Sequence, residues 1–199
     1  MPRTARSLLL VVLAAAVGAA LSACGDITKP EAVFAADSAS FVLRALNAGV
    51  PAAPNAVGVN GPSAVRASFE AGASNFDVAF DIDASGRPVL RPIAAVVVPC
   101  PRSSCSFGLL ADTLQKFDSV KAAPTSGYKF DSTMAIRVGA TYLVKAQVPA
   151  CTGYYVYSDV MYAKLVVDSV RPDSTFYVRM VSDNNCGFVG LEPGKVPAR

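Results

Sequence analysis

Residues 76–90 read FDVAFDIDASGRPVL, and their alternation decides the fold class. Phe76, Val78, Phe80 and Ile82 recur at every second position, with Asp77, Ala79 and Asp81 between them. A period of two places the first set on one face of a strand and the second on the other. Asp83, Ser85 and Gly86 then interrupt the pattern with turn formers, and Gly86 tolerates the positive φ of a tight reversal. Residues 87–98 resume as an apolar run with VLRPIAAVVV at its heart, so the whole stretch predicts a β-hairpin. Pro92 has no N–H to give a ladder, which predicts an edge strand or a bulge there.

The same period continues outward. Residues 133–138 and 141–147 predict a second hairpin around Gly139-Ala140. Residues 160–170 predict a long strand, the RPDS run at 171–174 a turn with Pro at its second position, and residues 175–182 the returning strand. A short last strand is predicted over 188–191. Residues 37–49 read either as a capped helix or as a strand, and the β character of the rest favours the strand. Residues 50–63, rich in Pro, Gly, Asn and Ala, read as loop, and 107–130 are less regular. Eight to ten short strands with turn signals between them predict an all-β chain. The expected fold is an antiparallel β-sandwich, Ig-like or related, with a closed barrel as the alternative.

The N-terminus carries a different signal. Arg3 and Arg6 precede the apolar run LLLVVLAAAVGAAL at 8–21. Its fourteen residues fall short of the ~20 that span a bilayer and suit the core of a signal peptide. Leu21-Ser22-Ala23-Cys24 follows. These four residues resemble the lipobox of bacterial lipoproteins. That resemblance implies cleavage before Cys24 and a diacylglycerol on its thiol. Gly25, rather than an acid, follows the cysteine, which by the same resemblance leans toward the outer membrane. The stretches DVAFDIDASGRPVL, GATYLVKAQ and MYAKLVVDSV are similar to uncharacterised β-rich bacterial lipoproteins over residues 76–182, a likeness that implies fold and no chemistry.

The division expected is a signal peptide over 1–23, a lipidated tether over 24–36 and a β-sandwich over 37–199. Removing the signal takes two of 18 basic residues and no acid, leaving 16 against 15, a net of +1. No basic cluster speaks for nucleic acid. Beyond Cys24, the remaining cysteines are Cys100, Cys105, Cys151 and Cys186. An even number in an exported chain reads as two disulfides. Of the three pairings, Cys100–Cys105 and Cys151–Cys186 are favoured. The rival is a four-thiolate zinc site, for which only the first pair has suitable spacing.

The chain contains no His. That removes Ser-His-Asp and Cys-His catalysis and leaves acid–base work to Asp, Glu, Lys or Tyr. Asp77, Asp81 and Asp83 could supply a glycosidase-like pair. Asp77 and Asp81, on the polar face of their strand, are expected to meet water. Asp81, Asp83, Ser85 and Gly86 match positions 1, 3, 5 and 6 of a calcium loop, but position 12 is Pro92, with no side-chain oxygen. Calcium is therefore the lesser reading beside a plain turn. Tyr154, Tyr155 and Tyr157, with Tyr162 beyond, offer aromatic bodies with polar tips suited to glycan or protein contacts, or to packing within the sheet. The reading that results is a lipid-anchored envelope protein, without enzymatic activity, that binds an envelope protein or glycan or serves a structural role. The alternatives are a carboxylate-based hydrolase of envelope glycans and a small-ligand carrier with a barrel cavity.

Overall fold

The hairpin of residues 76–90 forms as its alternation requires. In the computed structural model, which describes residues 31–50, 52–67, 75–97, 107–112 (backbone alone), 115–148, 151 and 158–197, β4 (Val78–Ile82) and β5 (Pro88–Pro92) pair antiparallel. Asp83 N–H donates to the Arg87 carbonyl at 2.8 Å, and Gly86 has φ 77°. Eight more strands accompany them: β1 (Asp37–Arg44), β2 (Ala56–Gly58), β3 (Ser63–Val65), β6 (Phe107–Asp112), β7 (Met134–Ala135), β8 (Thr141–Gln147), β9 (Val160–Val170) and β10 (Thr175–Ser182). Two 3-10 turns, Ile93–Ala95 and Phe117–Ser119, are the helical geometry among the described residues. All of this belongs to one body, Ala32–Arg199.

The strands form two five-stranded antiparallel sheets, ordered β1-β10-β9-β8-β6 and β3-β2-β4-β5-β7. The fold is a β-sandwich, and the sheets do not join into the barrel that a carrier cavity would need. Between them lies one core. Phe80 of β4 meets Phe176 of β10 across it, with ring centroids 5.6 Å apart. Leu43, Leu90, Ile93, Tyr142, Leu165 and Met180 are fully buried around them. Each such side chain contributes about 1.5–3 kcal/mol by leaving water.

The strand favoured over 37–49 forms, ending at Arg44. Several other local expectations are corrected. The loop expected over 50–63 contains β2 and begins β3. Residues 133–147 do not form a hairpin. β7 pairs with β5 in one sheet and β8 with β6 and β9 in the other, so Gly139-Ala140 is a crossover. Buried Tyr142 holds that corner: its hydroxyl accepts from Arg137 N–H at 2.6 Å and donates to the Ala135 carbonyl at 3.1 Å. β5 lies inside its sheet, not at an edge. Pro92 is tolerated because it ends the strand, beyond the two positions that β7 reaches. The residues after Pro92 turn into a 3-10 helix instead of extending the strand to 98. Residues 188–191 make only an isolated bridge, Ala122 to Gly190.

The sandwich has two poles. At one, residues 33–36 meet residues 183–187, where β10 ends, and the start of β9. At the other lie the β4–β5 turn, the β9–β10 turn and residues 45–48, tied together by Leu46 N–H to the Phe80 carbonyl (2.8 Å) and Ala45 N–H to the Ser174 carbonyl (2.9 Å).

Candidate functional site

The outer face of the first sheet carries the most organised chemistry. Alternation sends Tyr162, Lys164, Val166 and Asp168 of β9 outward, beside Tyr177, Arg179 and Val181 of β10. The segment around Phe117–Ser119 and the chain near Gly190 cover part of this face. Val120, Ala123, Leu143, Tyr162 and Leu191 form one small buried cluster there, and Ala36, Phe117, Val166 and Val181 another. Lys164 is buried between them. Its ammonium donates to the carbonyls of Phe117 (2.9 Å) and Val120 (2.6 Å) and lies 4.8 Å from the Phe117 ring centre. Burial pulls its pKa below the ordinary lysine range, while Asp118 and Glu192 act against that shift.

Beside this cover lies an open groove of about 320 Å³, lined by Ser38 and Ser40 of β1, Phe117, Asp118, Arg179 and Pro193 among others. Arg179 forms a two-pronged bond to Asp168, 2.8 and 2.9 Å long, and its guanidinium sits 4.9 Å from the Phe117 ring centre. Phe117 is thus addressed by two cations, Lys164 and Arg179. A planar guanidinium fixed by a carboxylate and a ring is preorganised, and it stands at the groove with its Nη1 3.7 Å from Asp118. The groove offers two hydroxyls, one cation and one carboxylate, Asp118, a set that suits hydrogen-bonding recognition.

The half calcium loop is bound up with protein donors. Asp81 is buried, against the expectation that it meets water. Its carboxylate is in an ion pair with Arg91 Nε at 2.9 Å and accepts from Asn47 N–H (3.2 Å), Asn47 Nδ2 (2.9 Å) and Ile82 N–H (2.9 Å). Asp83 accepts from Ser85 N–H (2.8 Å), Arg87 N–H (2.9 Å) and Arg87 Nε (2.9 Å). The Arg87 and Ser85 donors hold its pKa below the ordinary carboxylate range. Ser85 contributes through its backbone. Among the described residues, no three acidic or cysteine side chains converge as metal ligands would. Asp77 stands apart from both acids. It accepts from Val59 N–H at 2.5 Å, and burial raises its pKa to about 6.

Cys151 and Cys186 form a disulfide, with Cα atoms 5.5 Å apart. Cys24, Cys100, Cys105, Tyr154, Tyr155 and Tyr157 lie outside the described residues. Tyr162 is buried against Tyr128, ring centres 6.1 Å apart, and is not part of a binding surface.

Three organising residues escaped the sequence reading. Lys164 and Arg179 fall within the strands predicted over 160–170 and 175–182, with no role assigned to either. The apolar outward neighbours Tyr162 and Val166 were the available sign that this face is covered. Asn185 lies between the strands predicted over 175–182 and 188–191, a stretch to which the sequence reading gives no role. Its side-chain oxygen accepts from both Val33 N–H (2.8 Å) and Phe34 N–H (2.9 Å), and its amide donates to the Phe34 carbonyl (2.7 Å). Buried Asp183 holds Asn185 in turn, accepting from its N–H at 2.8 Å and its Nδ2 at 2.7 Å. No family model, curated protein or solved structure matches this chain.

Proposed function

We propose that this chain is a lipid-anchored protein of the bacterial cell envelope, leaning to the outer membrane, whose β-sandwich binds or scaffolds instead of catalysing. The observation that carries the reading is the order Arg3, Arg6, apolar 8–21 and Leu21-Ser22-Ala23-Cys24 ahead of a separately folded body. The Cys151–Cys186 disulfide supports it, because such bonds persist in exported proteins. A glycan hydrolase would need two carboxyls free to flank a sugar bond. Asp81 and Asp83 are instead tied to Arg91, Asn47 and Arg87, which favours recognition over hydrolysis. Binding would use the groove at Arg179 and the tyrosines at 154, 155 and 157.

Mass spectrometry of the protein purified from its native membranes tests the anchor. A mature N-terminus at Cys24 carrying acyl chains is the expected result. In the Cys24→Ser variant the protein should leave the membrane fraction. An unmodified Cys24, or unchanged membrane association of the variant, would overturn the reading.

A further inference from the structure

We propose that the pole where residues 33–36 join the sandwich rests on the lipid surface itself, with Val33, Phe34 and Val196 in contact with it. The proposal rests on acylation of Cys24. Val33 is 72% exposed, Phe34 60% and Val196 51%, and they are among the most exposed large apolar side chains described. They belong to one place. Ala36 N–H donates to the Lys195 carbonyl at 2.9 Å, and Gly194 N–H donates to the Ala36 carbonyl at 2.9 Å. That join sets Val196 beside the strand entry that Val33 and Phe34 lead into.

The mount is rigid where a loose linker would do for mere tethering. Asn185 holds the backbone of Val33 and Phe34 through three hydrogen bonds. Asn185 is itself fixed by Asp183 and stands next to the disulfide at Cys186. The backbone that carries the two exposed apolar side chains is therefore tied to the sandwich.

The tether length selects the lipid surface as the occupant. From Cys24 to Val33 is 33 − 24 = 9 residues. Fully extended, that reaches at most about 30 Å, and any coiling brings the pole closer. β9 alone has 11 residues and runs about 35 Å, so of the two poles the one that carries the tether is the one kept within that reach. Exposed apolar side chains held that near a bilayer gain by entering its boundary.

The chain has no Trp, which allows a clean probe. The full-length protein, acylated in its host, would carry Phe34→Trp or, as control, Val138→Trp. Val138 is 57% exposed and lies near the opposite pole, where Gly139 N–H meets the Val167 carbonyl. Each is placed in vesicles of phosphatidylethanolamine and phosphatidylglycerol, with and without brominated acyl chains. The expected result is blue-shifted, bromine-quenched emission for Phe34→Trp and neither change for Val138→Trp. Acylated Cys24 without quenching at Phe34→Trp overturns the contact and leaves the anchor standing. A blue shift without quenching means that protein covers the patch, and also overturns it. Equal quenching of both variants overturns the orientation and with it the proposal. Unacylated Cys24, read by mass spectrometry on the same sample, overturns the anchor and the contact together.

Discussion

The ammonium of Lys164 lies 2.6 Å from the carbonyl oxygen of Val120, and both residues are buried. A strand residue thereby satisfies the backbone of a segment that has no strand partner of its own there. Replacing Lys164 by Met keeps the apolar stem and deletes the donor, leaving the carbonyls of Phe117 and Val120 without it. The expected loss is about 2–4 kcal/mol, since each orphaned buried acceptor costs about 1–3 kcal/mol. Urea unfolding measures it, and amide exchange should quicken first at 117–123. A loss below about 0.5 kcal/mol would show that water replaces the ammonium.

Asp77 gives the fold a pH dependence opposite in sign to that of a salt-bridged acid. Burial raises its pKa to about 6 from an ordinary 3.8. Between those values the folded chain keeps a proton that the unfolded chain has released. Its contribution to stability is therefore present below about 3.8 and lost as pH rises through about 6. Asp77→Asn keeps an acceptor for Val59 N–H and removes the charge. Relative to the wild type, it should gain about 1–3 kcal/mol between pH 4 and pH 7.5. Unfolding midpoints across that range give the answer, and a pH-independent difference would assign the burial effect to another group.

What could be read in the sequence is what depends on period two. In β4, β9 and β10 one alternating apolar set (Val78 and Phe80; Met161, Ala163, Leu165 and Val167; Phe176, Val178 and Met180) enters the core between the sheets, so their patterns survive in the chain. The turn at 83–86 was legible for the same reason, because its residues serve local geometry. The crossover at Gly139-Ala140 was not. A hairpin and a sheet switch share turn residues, and the difference lies in Tyr142 bonding to Ala135 and Arg137, a contact the pattern does not mark. The candidate groove was illegible too. Ser40 and Arg179 come from sequence positions far apart, and only the β1–β10 register sets them side by side.

The β4–β5 turn can be tested through its backbone alone. Gly86 has φ 77°, and an added Cβ would meet no atom within 4 Å. Gly86→Ala should therefore cost about 1–2 kcal/mol from conformational strain with no clash. Gly86→Asn should cost less, because Asn enters the left-handed region more readily. Equal losses would mean that the turn relaxes to another geometry. The Asp83 contribution is distinct: its pKa is lowered, so its stabilisation is present above about 3.8 and lost as the pH falls below that.

The Cys151–Cys186 bond closes a loop of 35 residues. Restricting the unfolded chain by such a closure is worth about 3–4 kcal/mol. The double variant Cys151→Ser, Cys186→Ser avoids a stray thiol, and its melting temperature should fall by roughly 10 °C. The bond has a second consequence, because Cys186 follows Asn185, the residue that holds Val33 and Phe34. Without the bond, the loop of Asp183 to Gly187 is still held by Asp183, by Asn184 Nδ2 donating to Asp37 at 2.6 Å and by Gly187 N–H donating to the Val160 carbonyl at 2.7 Å. Amide exchange at Val33 and Phe34 should then quicken by more than the global loss accounts for. Exchange there that follows global unfolding alone would show that Asp183 fixes Asn185 without help from the disulfide.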